Sequence, residues 1–311
     1  MGYRYKRIFQ AKRGQGYSLF KCSRNSYCVK VGIARVDLGL RQCRAIEFAP
    51  ARLAETVTNC FEGYIMPFVL DASIFERRFR PEGLDSQASI ILMSDDEPAG
   101  VCLIARQGWT SRVAAMAIAP DFRSKGVGKH LMTLAIDEAK ERNDKRLVLE
   151  VIEQNPPAIG LYESVGLAKT RRLVGYRKEA SKGKKANLMD VDPSEIVRRM
   201  VTECDPDLPW DFKPETLATK VNVHGLTFGH KSYALITDTP GERVILWSLF
   251  TRKDTRDKGC ARTLVQAIAE RFPNKALVTP VAIPDDLAPE FFAKLGFVCG
   301  EISQFEMELL L

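Results

Sequence analysis

Residues 121–132, DFRSKGVGKHLM, set one arginine and two glycines at Arg-x-x-Gly-x-Gly spacing where an apolar run gives way to a helical pattern. A strand that enters a glycine-bearing turn at a helix start leaves several backbone N–H groups unpaired and pointing one way. Such a nest binds phosphate oxygens, helped by the helix dipole. Gly126 and Gly128 let a bulky pyrophosphate approach the backbone, Ser124 and Val127 complete the turn, and Arg123, Lys125 and Lys129 add positive charge. The same skeleton returns 133 residues later as DTRDKGCARTLV, with Arg256, Gly259 and Ala261.

The turn needs elements to hold it. ASIILM (88–93) and AGVCLIAR (99–106), split by the polar SDDEP, read as a β-hairpin, and SRVAAMAIAP (111–120) as a third strand. Val127, Leu131, Leu134, Ala135, Ile136 and Ala139 then recur at helical spacing. RLVLEVIEQN follows as a strand, PPAIGLYESVGL as a helix and TRRLVGYRK as a strand. The C-terminal half repeats this order with SYALITDT, RVILWSLF, a helix through Arg271, KALVTPVAI as a strand, LAPEFFAKLGF as a helix, and a final strand near QFEMELLL. Arg123 to Gly166 spans 43 residues and Arg256 to Gly296 spans 40, which marks an internal duplication. Between the copies, EASKGKKANLMDVDPSE reads as a linker, with Asp192, Pro193 and Glu195 as N-cap, first-turn proline and capping-box acid of a new helix.

Arg123, Gly126 and Gly128 together with Asn155, Ala158, Leu161, Tyr162 and Gly166 resemble two motifs of the GCN5-related N-acetyltransferase (GNAT) superfamily. These are Arg/Gln-x-x-Gly-x-Gly/Ala and Asn-x-x-Ala-x-x-Leu-Tyr-x-x-x-Gly. Leu167 stands where that family usually has Phe. The resemblance covers residues 45–178 in full and 196–311 in outline. It implies an α+β fold of two GNAT-like domains, each a mixed, mostly antiparallel twisted sheet flanked by helices. It implies acetyl-CoA as co-substrate, with pantetheine between splayed fourth and fifth strands, pyrophosphate on the turn at 123–128, and Asn155 and Tyr162 beside it. A backbone N–H near Met116, Ala117 or Ile118 would steady the oxyanion while a primary amine attacks and coenzyme A leaves as thiol.

Two proton transfers then need owners. A lysine-like amine of pKa near 10.4 lies roughly 3.4 units from neutral at pH 7, a cost of about 4.6 kcal/mol, whereas an α-amino group near 8 costs about 1.4 kcal/mol. Tyr162 is the candidate acid for the departing thiolate; a core aromatic on an amphipathic helix is the alternative. Glu150 shares its strand face with Val148 and Ile152, which would raise its pKa toward a useful base, and its spacing of 12 to Tyr162 resembles the ribosomal-protein alanine N-acetyltransferases. A glutamate that simply holds a neighbouring arginine or backbone group fits equally well. Glu62, in CFEGYIMP, is a second candidate base, against the reading of an exposed helix acid. In the second copy Phe292 falls at the Tyr162 position and Asp285 at Asn155, so that half is expected to be degenerate and to complete the acceptor pocket or bury a shared face. Cys260 reads as packing. Tyr64, Phe68, Trp210, Phe212, Asp205 and Asp207 are expected near the acceptor.

The 311 residues, 45% hydrophobic and 27% charged, suit two soluble domains. The net charge of +7 is uneven: residues 1–44 hold eleven Lys/Arg against Asp37, and the rest of the chain is slightly acidic. Residues 1–44 therefore read as a basic extension, disordered or non-native, with a transit peptide, an ordered arm or a nucleic-acid contact as alternatives; neither an RNP-like pattern nor a helix-turn-helix accompanies it. The divisions expected are 1–44, a catalytic domain at 45–180, a linker at 181–195 and a second domain at 196–311. Eight scattered cysteines and three histidines give no metal spacing and favour a reducing, cytoplasmic setting, with no membrane span and no metal. A homodimer is compatible with all this. A non-catalytic acyl-CoA sensor is the competing function, distinguished by binding acetyl-CoA without acetylating any amine.

Overall fold

The computed structural model describes residues 39–66 and 68–311, of which Leu40–Leu311 form one compact unit. The rest of the basic segment, residues 1–38, lies outside the described residues. Its last four described residues do not belong to an extension. Arg41–Arg44 is strand β1, paired antiparallel with Ile90–Met93 and anchored by buried Cys43, with Arg41 exposed and Arg44 paired with Glu138 of the later helix at 2.7 Å. Helices α1 (Pro50–Cys60) and α2 (Ala72–Phe79) follow, then β2 (Ile90–Ser94), β3 (Glu97–Gln107) and β4 (Thr110–Ile118) as an antiparallel meander. The turn leads into α3 (Val127–Glu141), β5 (Arg146–Ile152), α4 (Pro156–Ser164) and β6 (Ala168–Lys178).

The linker is shorter than the sequence suggests, because Leu188–Val191 pairs with the next strand as β7. Helix α5 (Pro193–Glu203) starts as expected, with Asp192 accepting from the Ser194 N–H at 2.7 Å. Glu195 makes no capping box; it turns along the helix to Arg199 at 2.7 Å. The copy continues through α6 (Pro214–Ala218), β8 (His224–Phe228), β9 (Ser232–Asp238), β10 (Arg243–Thr251) and α7 (Cys260–Arg271). The strand expected over 275–283 is broken into β11 (Ala276–Val278) and β12 (Ile283–Pro284). Pro280 cannot donate to a ladder, so the chain leaves the sheet there. Helix α8 (Pro289–Lys294) and β13 (Val298–Leu310) end the chain.

The strands order as β1-β2-β3-β4-β5-β13-β6-β11-β10-β9-β8-β7, with β12 on β6. The centre of that order is an exchange. β13, last in the second copy, pairs with β5 of the first, whereas β6 of the first copy pairs with β11 of the second. β6 and β13 also pair with each other, so the two copies share one sheet.

Period-two alternation sends Ile91, Met93, Val101 and Leu103 to one face of the first half, against Leu53, Val57, Phe75 and Phe79 of α1 and α2. α3 covers the other face with Val127, Leu131, Met132, Ala135 and Ile136. The second half repeats the sandwich, with Ile196, Met200 and Leu217 on one face of β9 and Leu264, Val265 and Ile268 of α7 on the other.

Candidate active site

The site begins where two strands part. β4 and β5 pair in parallel from Thr110 with Arg146 to Val113 with Leu149, and no further. Ala114 is the extra residue of a bulge between β3 and β4, and a bulge bends its strand, here away from β5. Beyond it β4 stays on β3 through Ile118, while β5 continues on β13, Glu150 opposite Glu306. The expected gap therefore exists, with Met116, Ala117 and Ile118 half-buried along its β4 edge.

At the end of β4 the chain makes a short 3-10 turn, Pro120–Phe122, and enters α3 through Gly126 at φ 83°. That left-handed conformation suits glycine, and a Cβ at Gly126 would meet nothing within 4 Å. The N–H groups of Ser124 to Lys129 donate to no backbone carbonyl among the described residues. Val127 is buried under the turn, whereas Ser124, Lys125 and Lys129 are exposed. Arg123 has a different task from the one expected. Its Nε donates to the Ile118 carbonyl at 2.9 Å and its Nη2 to the carbonyls of Cys60, at 3.4 Å, and Glu62. The guanidinium thus ties the end of α1 to the end of β4, leaving the backbone and the two lysines to meet an anion.

A cavity of about 400 Å³ opens beside the gap, lined by Val113 to Met116 and Leu149 to Ile152, with Asn155, Ala158 and Tyr162 from α4. Tyr162 and Glu150 come to this one cavity from separate elements, as their spacing requires. Asn155 caps α4, accepting from the Ala158 N–H at 3.4 Å, and its side chain offsets part of the rise that burial gives the Tyr64 phenol. Burial raises the pKa of Tyr162, with Cys102 and Tyr64 adding to it, so its phenol keeps its proton at neutral pH. Glu62 does not join them. Its side chain lies exposed on a neighbouring groove lined by Thr58, Asn59, Gly63, Met66 and Val69, and its contribution near the site is the carbonyl that holds Arg123.

Arg112, Glu82 and Asp211 also line the cavity and were not picked out from the sequence. Arg112 points from β4 between two carboxylates, Glu82 at 2.6 Å and Glu150 at 2.7 Å, all three side chains being 9–13% exposed. Glu150 therefore does hold an arginine, yet its carboxyl is still pushed up to about 7. Burial outweighs Arg112, and the charges of Asp211 and Glu306 add to the effect. Glu82 is raised as well, by burial. The signal for Arg112 was available: it is the one charged residue within the apolar run SRVAAMAIAP, on the strand beside Glu150.

The second copy supplies walls. Val281, Ala282, Ile302 and Gln304 line the cavity, and Asp211 reaches it from a short helical turn, Trp210–Phe212. Trp210 fixes that turn by packing on Ala105 and Val148 of the first half and donating its indole N–H to the Glu82 carbonyl at 2.9 Å. Asp207 pairs with Arg171, Asp205 accepts from the Asp207 N–H, and Phe212 packs on the second core, so these three expected residues stand outside the cavity.

The repeated turn is built alike. Parallel pairing of β10 with β11 ends at Ile245 and Val278, Trp247 occupies the bulge, and Gly259 enters α7 at φ 75°. Arg256 again reaches two carbonyls, Thr251 at 3.3 Å and Glu203 at 2.6 Å. At the position of the phenol, Phe292 stacks on Tyr176 with ring centroids 4.1 Å apart. Asp285 faces Arg172 at 3.6 Å, and Cys260 is buried.

A family model described as the acetyltransferase (GNAT) family matches residues 53–167, the stretch that builds the gap, the turn and α4. Residues 53–167 of the chain belong to the acetyltransferase (GNAT) family. It is 36% identical over 89 residues to streptothricin acetyltransferase of Streptomyces lavendulae, covering 28% of this chain and 47% of that protein. It is 43% identical over 51 residues to the ribosomal protein bS18 alanine N-acetyltransferase of Escherichia coli (strain K12), covering 16% and 34%. The chain thus spans about half or less of the length of these two relatives. A solved tandem GNAT protein from the clavulanic acid biosynthesis pathway shares the fold with a TM-score of 0.63 at 14% identity, over 87% of this chain and 98% of that one. Among the described residues no group of three or more His, Cys, Asp or Glu is placed to hold a metal ion, and no helix is long and apolar enough to cross a membrane.

Proposed function

We propose that this chain is an N-acetyltransferase that moves an acetyl group from acetyl-CoA to a primary amine, with the first copy catalytic and the second closing the acceptor pocket. The observation that carries this reading is the end of β4–β5 pairing at Val113 and Leu149, beside one cavity lined by Glu150 and Tyr162. The donors present fit the co-substrate. The open N–H groups of Ser124 to Gly128 suit a pyrophosphate, and the unpaired edge of Ala114–Ile118 suits an extended amide-bearing chain. When bound there, acetyl-CoA supplies an activated acetyl thioester. Glu150 takes the proton of the incoming ammonium at its carboxylate, and a backbone N–H between Met116 and Ile118 faces developing negative charge. Tyr162 holds a proton at its phenol oxygen for the sulfur that leaves. Full transfer is uphill: an ordinary phenol lies about 1.5 units above a thiol, roughly 2 kcal/mol, and burial widens that gap. Tyr162 thus acts as a hydrogen-bond donor, and Tyr162→Phe is expected to lower kcat about 100-fold in a thiol-release assay with acetyl-CoA affinity held within a few fold. Unchanged kcat would remove Tyr162 from the chemistry.

The test of the whole reading is calorimetry of acetyl-CoA on the full chain. One site is expected, lost in Gly126→Val, where a β-branched residue is strained at φ 83° and fills the open space, and retained in Gly259→Val. Two sites, or one lost only in Gly259→Val, would transfer the cofactor to the second copy. Binding without acetylation across a broad amine panel would replace the enzyme by a sensor.

A further inference from the structure

We propose that the acceptor is a small zwitterion of amino-acid type, its amine drawn to Asp211 and Glu150 and its carboxylate held by Arg78. This rests on the reading of the cavity as an acceptor pocket. At about 400 Å³, walled on one side by the second copy, the space suits a small molecule.

Five charged side chains line it. Arg112 is committed to Glu82 and Glu150, at 2.6 and 2.7 Å. That leaves Asp211 and Arg78, neither of which has a side-chain hydrogen bond or an ion pair within 4 Å among the described residues. Asp211 sits half-buried on the turn that Trp210 locks in place. Arg78, on exposed α2 surface, lays its guanidinium 4.5 Å from the Phe68 ring and 5.4 Å from Phe79, and these rings hold it at the cavity edge. Arg78, Arg112 and Lys220 all feel Asp211 at a distance, but Arg112 is held by its two glutamates, and Lys220 stacks 3.8 Å from Trp247 and does not line the cavity. The pocket therefore presents one acid and one base, each short of a partner. A diamine would leave Arg78 unmatched and repelled, and a neutral amine would match only Asp211. Because Arg78 is the more exposed of the two, the carboxylate lies toward the mouth and the amine toward Glu150.

The test uses the full chain saturated with coenzyme A, and calorimetry with lysine and with ω-amino acids of three to six carbons, each against its carboxamide and the matching diamine. For at least one length the acid is expected to bind about tenfold or more tighter than its amide, as loss of a charge-assisted pair implies. Arg78→Gln should bring that ratio within about twofold, Arg78→Lys should restore part of it, and Arg77→Gln, on the same helix but bonded to Ser73, should leave it unchanged. Amides or diamines equal to or better than the acids at every length would overturn the inference, as would a preference that survives Arg78→Gln or no binding by any member. Failure of acetyl-CoA itself to bind would sink the transferase reading instead, and that is measured separately in the same instrument.

Discussion

Glu150→Gln is expected to lower kcat/KM at pH 8 by about 10²- to 10⁴-fold, the span that loss of a positioned general base covers. The wild-type profile should rise with pH through a midpoint near 7, because burial pushes the Glu150 carboxyl up to about 7 and only its ionised form accepts a proton. The variant should lose that limb, leaving only the ionisation of the amine itself. Arg112 keeps Glu82 as a partner, so the substitution does not strand a buried charge. Glu82 and Glu150 share Arg112, which stays charged throughout, so the midpoint belongs to the two carboxyls together. Stability gives an independent reading. Glu150 binds its proton more tightly in the folded chain than in the unfolded one, where its pKa is ordinary. The folded state therefore loses relative stability as pH rises from about 4.5 through about 7, opposite to a salt-bridged carboxylate of depressed pKa. Glu150→Gln should flatten its share of that slope in denaturant titrations across the window. A variant that keeps the full pH–rate limb would move the base elsewhere, with Glu82 next in line.

What the sequence made legible is what short-range spacing encodes. The turn, α4 with Asn155 and Tyr162, and the apolar face around Glu150 each lie within one or two elements, and Asn155, Tyr162 and Glu150 fall at the cavity. Glu62 was misplaced because helix position says little about which way a loop-end carboxylate faces. Asp211 escaped notice because its location depends on Trp210 inserting into the other copy. The basic composition of residues 1–44 concealed β1, an edge strand whose pairing is long-range and whose Arg44 finds its partner, Glu138, far along the chain. Pro280, within KALVTPVAI, is the local signal for the break between β11 and β12, since a proline cannot donate to the ladder. The exchange of β6 and β13 left no local trace. Both are amphipathic strands, and nothing in their own residues names the neighbour.

That exchange predicts that the two copies cannot unfold separately. Met307 of β13 is fully buried opposite Leu149 of the first copy, although its sequence position belongs to the second. Met307→Ala should cost about 2–5 kcal/mol, the range for a buried large-to-small change. With a total stability of about 5–15 kcal/mol, that is a sizeable fraction of what holds the chain folded. Hydrogen exchange should register it equally in β3 and β9, one strand deep in each copy, and the wild-type chain should melt in one transition. The physical reason is that β13 closes the outer edge of β5 while β6 closes β11, so opening either copy removes an edge partner from the other. Faster exchange confined to β3, or two resolved transitions in the intact chain, would mean that each half holds its own core and the shared strands are only a seam. A single transition with both strands responding would make the second copy part of the catalytic fold, which explains why a half without the phenol still contributes the walls and Asp211.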